Sequence, residues 1–543
     1  MFEISLPDAF SPGESVKPPG SLVIDNTRCQ SRCKLPTTAK IADIDNCVNL
    51  YLRSCATATD RLTTLLNIRT IGTQLGHKHE TAVIQLSFHG AAQTVTGSKY
   101  LLTVNDTKVL IDCGMFQGLK SLRQRNWEPL PFDVPSLDAV VITHGHIDHI
   151  GMLPKLARDG YNGKIYATNP TVDIAKLSLL DTAHIQEEDA EYRNKKKLTS
   201  HPVALPLFTT ANAEQTFNLL TPVPFDQWTK ITNEIRFRMH VAGHILGAAG
   251  VEVDIDDGEK RVSVMFSGDV GRYGNPLTKN PAPPPECDYL VCESTYGGRL
   301  HAPEDAYFEF AELIKEVIRD KRILLIPAFA IGRTQQVIFL INRLIAQKQI
   351  RKIDIHVDSP MAISATDIYM KYPDFHALDL KELGGKGCVL NGENVFLHRK
   401  RKSSKQLNKL KGPAVILSAS GMLSGGRILH HLLNRLDKPE TMLLLVGYMA
   451  EGTLGRKLID GADPIYIHKT PVPVRAQIVK LKGLSGHADY YEILHWLEPI
   501  KKAPRKVFVT HGEISQAEAM AGHLYTERGW DCLIPELDQT VEL

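Results

Sequence analysis

From Val83 onward the apolar positions fall into short runs closed by turn residues, the spacing of β-strands with helices between them. The runs 83–88, 97–102 and 108–111 come first, the last ending on Asp112-Cys113-Gly114. Ala139-Val140-Val141-Ile142 is apolar without a break, as a strand buried on both faces would be. Helical spacing then predicts helices over 152–158 and 171–197; the second ends in Arg193-Asn194-Lys195-Lys196-Lys197, a charge run that suits a solvated helix end.

One design then repeats. Ile235-Arg236-Phe237-Arg238-Met239 alternates like a strand and leads to His244, Val262-Ser263-Val264-Met265-Phe266 leads to Asp269, and Tyr289-Leu290-Val291-Cys292 leads to Glu293. Far downstream, Lys506-Val507-Phe508-Val509 leads to His511. Strands that all end on an ionisable residue make one polar edge on an apolar body, where layered α/β folds place their sites.

Between 301 and 457 strand and helix periods alternate. The strands expected there are 322–327, 353–357, 414–417 and 442–446, and Gly332-Arg333 opens an apolar helix over 337–344. This predicts an inserted α/β domain with a parallel sheet. It carries the densest positive charge in the chain, His398-Arg399-Lys400-Arg401-Lys402 with Lys405, Lys409 and Lys411, either a solvated loop or a footprint for phosphates. The glycines around Ser418-Ala419-Ser420-Gly421-Met422 and Gly425-Gly426-Arg427 either serve turns or present amides to an anion.

Residues 1–83 read differently: turn-rich at first, then one amphipathic helix carrying Leu62, Leu65, Leu66 and Ile68, an appendage of unknown role. Four cysteines lie there, at 29, 33, 47 and 55, without the short paired gaps of structural zinc knuckles.

Composition narrows the class. At 543 residues two or three domains are expected, and 63 Lys and Arg against 61 Asp and Glu leave a net charge of +2, so any basic surface must be local. No apolar run has the length of a membrane span, and the first residues lack an export signal, so a cytoplasmic protein with reduced thiols is expected from nine cysteines, an odd number.

The densest candidate chemistry is the loop after 139–142. His144, His146, Asp148 and His149 are four potential metal ligands, delivered together by one strand end. His144 and His146, two apart, can share one ion, and Asp148 and His149 are placed for a second. Asp112 is either a turn residue or a partner that orients a ligand histidine.

These residues resemble those of the metallo-β-lactamase fold hydrolases and, within them, the β-CASP nucleases that process RNA. The motifs at 112–114, 144–149, 242–247 and 266–269 are similar to the shared metallo-β-lactamase set, and those at 293–297, 484–489 and 510–513 to the three β-CASP additions. The resemblance implies an α/β fold, a metallo-β-lactamase αββα sandwich (84–300 and 458–543) with an inserted β-CASP α/β domain (301–457). It implies that His144, His146 and His244 hold one zinc, that Asp148, His149 and His511 hold the other, and that Asp269 bridges them. Asp112 would stand behind a ligand; Asp148, His487 and Glu293 would be catalytic, with Glu293 orienting His487.

Histidine at 511 marks the branch of the family that acts on RNA. The implied activity is therefore zinc-dependent hydrolysis of RNA phosphodiesters by water that two metals activate, leaving 5′-phosphate and 3′-hydroxyl ends. Manganese or iron is the alternative to zinc. Single-stranded RNA is the expected partner, with a homodimer left open and no membrane. Two other readings stand beside it: a thioester or lactam hydrolase, against which the large insertion argues, and a non-catalytic RNA-binding subunit, against which the intact ligand set argues.

Overall fold

The computed structural model describes residues 83–198, 202–257, 260–301, 306–378, 389–423, 425–447, 449, 452–481 and 483–543. The expected appendage, Val83 apart, lies outside the described residues.

Two seven-stranded sheets face each other. The first contains β1 (Ile84–Gly90), β2 (Lys99–Val104), β3 (Thr107–Ile111), β4 (Ala139–Val141), β5 (Lys164–Thr168), β6 (Leu220–Val223) and, from the far end of the chain, β22 (Gln539–Glu542), in the order β22-β1-β2-β3-β4-β5-β6. The second contains β7 (Thr229–Lys230), β8 (Ile235–Val241), β9 (Ala249–Asp256), β10 (Arg261–Phe266), β11 (Tyr289–Glu293), β20 (Lys506–Thr510) and β21 (Cys532–Leu533), in the order β21-β20-β11-β10-β9-β8-β7. Leu86, Phe88, Val109 and Val141 of the first meet Phe237, Val253, Phe266 and Phe508 of the second in one core. The outer faces are covered separately, by Leu153, Leu156 and Leu179 on one side and by Ile493, Leu497 and Met520 on the other. Helices outside and sheets inside make the expected αββα order.

Register explains why the ionisable strand ends meet. β10 runs parallel to β11, and β11 to β20, with Phe266 level with Val291 and Val291 level with Phe508. Asp269, Glu293 and His511 therefore emerge at the same edge. β3, β4 and β5 are likewise parallel, which brings Asp112 and the loop after β4 to a common end.

The third sheet has six strands, β12 (Ile323–Pro327), β13 (Asp354–Val357), β14 (Val395–Leu397), β15 (Ala414–Ser418), β16 (Thr441–Val446) and β19 (Gln477–Leu481), in the order β14-β13-β15-β12-β16-β19, parallel throughout. Leu324 and Ile326 face the helices Ala306–Arg319, Arg333–Ala346 and Pro360–Lys371, while Ile323 and Leu325 face the helix Arg427–Arg435 and the hairpin β17 (Ile465–Ile467) and β18 (Thr470–Val472). Both faces are covered, so the central strands β12, β15 and β16 are buried along their whole length. The sheet takes an edge strand from beyond the expected boundary at 457. The periodicity there breaks because β19 is half-exposed at the edge.

Cys113, Cys287, Cys292 and Cys532 are free thiols. Among the described residues no helix is long and apolar enough to cross a membrane.

Phe508 is 2% exposed and its ring lies 5.2 Å from Phe88 and 6.2 Å from Tyr289, joining the two sheets. Phe508→Ala is expected to lower unfolding free energy by about 3–5 kcal/mol in a denaturant titration, whereas Tyr525→Ala, at an exposed ring, is expected to change it by less than about 0.5 kcal/mol.

Candidate metal centre

The loop after β4 is tied down before it offers any ligand. Thr143 donates its backbone N–H to Asp112 Oδ1 and its hydroxyl to Asp112 Oδ2, each at 2.8 Å. Asp112 Oδ2 also accepts from His149 Nδ1 at 2.7 Å, so the lone pair of His149 is on Nε2. A single helical turn, Ile147–Ile150, carries Asp148 and His149. Ser98 N donates to Asp148 O and Cys113 N to His149 O, at 2.9 and 2.8 Å. Gly114 is forced by that approach, since a Cβ there would lie 1.6 Å from Asp148 O.

Three more strand ends complete the cluster. His244 follows β8, in a loop bonded back through Gly271 N to Ala242 O at 2.8 Å. Asp269 follows β10. His511 follows β20 with φ 50°, its N donating to Ala91 O at 2.7 Å and its Nδ1 lying 3.1 Å from Thr295 Oγ1.

The donor atoms then fall into two sets. His146 Nδ1 is 3.0 Å from His144 Nε2 and 3.2 Å from His244 Nε2, while Asp269 Oδ2 is 3.3 and 3.5 Å from the same two nitrogens. On the other side His149 Nε2 and His511 Nε2 are 3.1 Å apart, Asp269 Oδ1 is 3.4 and 3.6 Å from them, and Asp148 Oδ2 is 3.7 Å from His511 Nε2. The two oxygens of one buried carboxylate thus face two separate ligand sets.

These spacings suit zinc. Ligands about 2.0–2.1 Å from a tetrahedral ion are separated by about 3.3 Å, and in each set the donor atoms lie within 4.8 Å of one another. Asp269 Oδ1 is buried with no hydrogen-bond partner, which fits an oxygen reserved for a cation. Burial, reinforced by the neighbouring imidazoles, pushes His144, His146 and His244 below the ordinary histidine range, His146 to about 3. A neutral imidazole is the form that binds metal. Burial also opposes charge on Asp148 and Asp269, yet the surrounding histidines outweigh it and both stay ionised.

Beside the cluster, His487 Nδ1 lies 3.2 Å from both oxygens of Glu293 and 3.9 Å from Asp269 Oδ2. Glu293 is itself held, accepting from Val270 N at 2.7 Å and Thr295 N at 3.3 Å. Burial depresses the His487 imidazole, but the charges of Glu293 and Asp269 outweigh that and raise it to about 9. The pair with Glu293 therefore favours the imidazolium form of His487.

The chain is similar to proteins of this architecture over most of its length. Residues 101–262 match the metallo-beta-lactamase superfamily domain, 334–458 the Beta-Casp domain, and 471–535 the Zn-dependent metallo-hydrolase RNA specificity domain. A ribonuclease of Thermus thermophilus is 34% identical over 459 residues, covering 83% of this chain and 98% of the relative. The chain belongs to the β-CASP family of metallo-β-lactamase fold proteins. An RNase J-like protein of Methanocaldococcus jannaschii is 32% identical over 448 residues (81% and 95% covered), and a transcription termination factor FttA from the same organism 30% over 449 (80% and 67%).

Over the cluster lies a cleft of about 2270 Å³, lined by His146, Asp148, Asp269, His487 and His511 from the metallo-β-lactamase body and by Phe329, Arg333 and Arg427 from the β-CASP side. The basic run predicted from sequence reaches this cleft only in part. Arg399 is drawn off to Asp367 at 2.8 Å and Arg401 to Glu188 at 3.1 Å, while Arg401 and Lys405 line the rim. Sequence reasoning passed over Thr143, whose hydroxyl lies 3.1 and 3.3 Å from His144 Nδ1 and His149 Nδ1, and Thr295, whose hydroxyl lies 3.1 Å from His511 Nδ1; Thr143 adjoins His144 in the sequence, whereas the motif around Thr295 holds no histidine to point to it. It also passed over His301, whose Nε2 lies 3.0 Å from His487 O.

Because Asp112 holds the outer nitrogen of His149, Asp112→Asn is expected to weaken zinc retention by about 10- to 100-fold. Competition against a chromophoric chelator measures it, and unchanged retention would remove Asp112 from the site.

Proposed function

We propose that this chain is a zinc-dependent ribonuclease that hydrolyses phosphodiester bonds of single-stranded RNA, leaving 5′-phosphate and 3′-hydroxyl ends. The observation that carries the reading is the double ligand set around Asp269, lying on the floor of a cleft roofed by the β-CASP domain. In this reading His144, His146 and His244 hold one zinc, Asp148, His149 and His511 the other, and Asp269 both. The body is contributed by the residues up to about 300 and those after β19, with the roof between them.

A bound zinc pair supplies positive charge for phosphate oxygens and acidifies water to a pKa near 7. The chain supplies the rest. Glu293 fixes Nδ1 of His487, which leaves the Nε2–H of the imidazolium for the cleft, where it donates to the departing 3′ oxygen. Asp148, ionised and partly exposed at the cleft, orients the attacking water by accepting its proton or hydrogen bond. The relative named ribonuclease supports the substrate class. A cleft of this volume is also larger than a lactam or thioester needs, since small-molecule sites occupy about 300–1,000 Å³.

His487→Ala is expected to keep two zinc ions per chain and to cleave labelled single-stranded RNA about 10²–10⁴-fold more slowly. His511→Ala is expected to lose metal as well as activity. Elemental analysis with a cleavage assay, run with and without chelator, separates the two. Zinc loss in the His487 variant would overturn its role as proton donor, and RNA bound but uncut by the wild-type protein would favour a binding subunit.

A further inference from the structure

Arg333 takes no part in the ligand sets, yet it is held beside them. It opens the helix Arg333–Ala346 directly after Gly332. A Cβ placed on Gly332 would come 3.0 Å from Ile245 Cγ2, and Ile245 adjoins His244. The Arg333 side chain lines the same cleft as Tyr296 and His487.

Its charge is left without an acidic neighbour. NH1 donates to Gln336 Oε1 at 2.5 Å, and Nε is enclosed with no acceptor at all. Among the described residues no carboxylate stands within ion-pair distance of it. Arg427 and Arg401, which line the same cleft, meet Asp358 at 2.7 Å and Glu188 at 3.1 Å. Burial, with Arg272 nearby adding repulsion, lowers the Arg333 guanidinium to about 10, so it remains charged at neutral pH. An enclosed cation without a counter-charge is destabilising, so the position favours an anion arriving from the cleft.

Phe329 stands on the same loop. Its ring is 41% exposed, lines the cleft, and has its centroid 6.4 Å from that of His146. Thr334 fixes its backbone by donating N–H and hydroxyl to Phe329 O at 3.2 and 2.9 Å. Gly421 makes room for the ring, since a Cβ there would lie 2.9 Å from Phe329 Cδ2. A fixed aromatic face open to a wet cleft is what an unpaired base stacks on.

We propose that the loop from Phe329 to Arg333 is a strand-binding subsite: the Arg333 guanidinium receives an RNA phosphodiester adjoining the one at the metal centre, and the Phe329 ring stacks on an unpaired base. This rests on the ribonuclease reading above. Guanidinium and ring have separable signatures, because a phosphate contact contributes to the salt dependence of binding and a stacking contact does not.

The test uses the full chain carrying His487→Ala, which slows turnover below the time of a binding measurement, and a short fluorescent single-stranded oligoribonucleotide titrated over a salt series. Added Arg333→Gln is expected to reduce the slope of log affinity against log salt by about 0.7. Added Phe329→Ala is expected to weaken binding about 5- to 150-fold with the slope unchanged. Circular dichroism and zinc content identify folded variants. Phenylglyoxal labelling of the parent, mapped by peptide mass spectrometry, gives a reading without substitution at 333: RNA is expected to protect Arg333. An unchanged slope in a folded Arg333→Gln variant, or labelling that RNA does not reduce, overturns the subsite. A parent that binds no RNA fails at the ribonuclease reading first.

Discussion

Imidazole nitrogens from separate strand ends face one another at 3.0–3.2 Å. Burial and the neighbouring imidazoles push His146 and His244 down toward the neutral form that binds metal, and Asp269 Oδ1 among the donors has no hydrogen-bond partner. A cation in each set would satisfy these crowded donors together, and much of the architecture serves to hold them in place. Strand ends from both sheets converge on the cluster, and each ligand loop is bonded to another loop before it reaches a ligand atom: Thr143 to Asp112, Ser98 to Asp148, Ala249 to Thr143, His511 to Ala91. Bound metal would contribute to folding as well as to chemistry, because it relieves the crowding of the donors.

The strand runs and the residues on which they end were legible in the sequence, because a strand buried on both faces needs an unbroken apolar run and an ionisable residue can only follow it at a rim. The parallel character of the inserted sheet was legible for the same reason. Which rims coincide was not. Nothing in the spacing of Asp269, Glu293 and His511 states that β10, β11 and β20 are parallel neighbours; resemblance to a family supplied it, and the register now accounts for it. β19 escaped because an edge strand exposes one row of side chains and loses the apolar signature. Arg333 escaped for a different reason. An arginine after glycine looks like any helix start, and its lack of a counter-charge is a property of the folded neighbourhood alone.

Both parts of the molecule line one space. The metallo-β-lactamase body brings the clustered imidazoles and carboxylates to it, and the β-CASP side adds Phe329, Arg333 and Arg427. Cationic side chains on the far side of the cleft from the cluster favour a polyanion within it.

The strand that delivers His511 is made after the whole roof, although it pairs with β11, which precedes that roof. A chain emerging from the ribosome in order therefore carries His144, His146, Asp148, His149, His244 and Asp269 long before His511 can join them. The cluster completes itself only after the sheet that faces it across the cleft has been made.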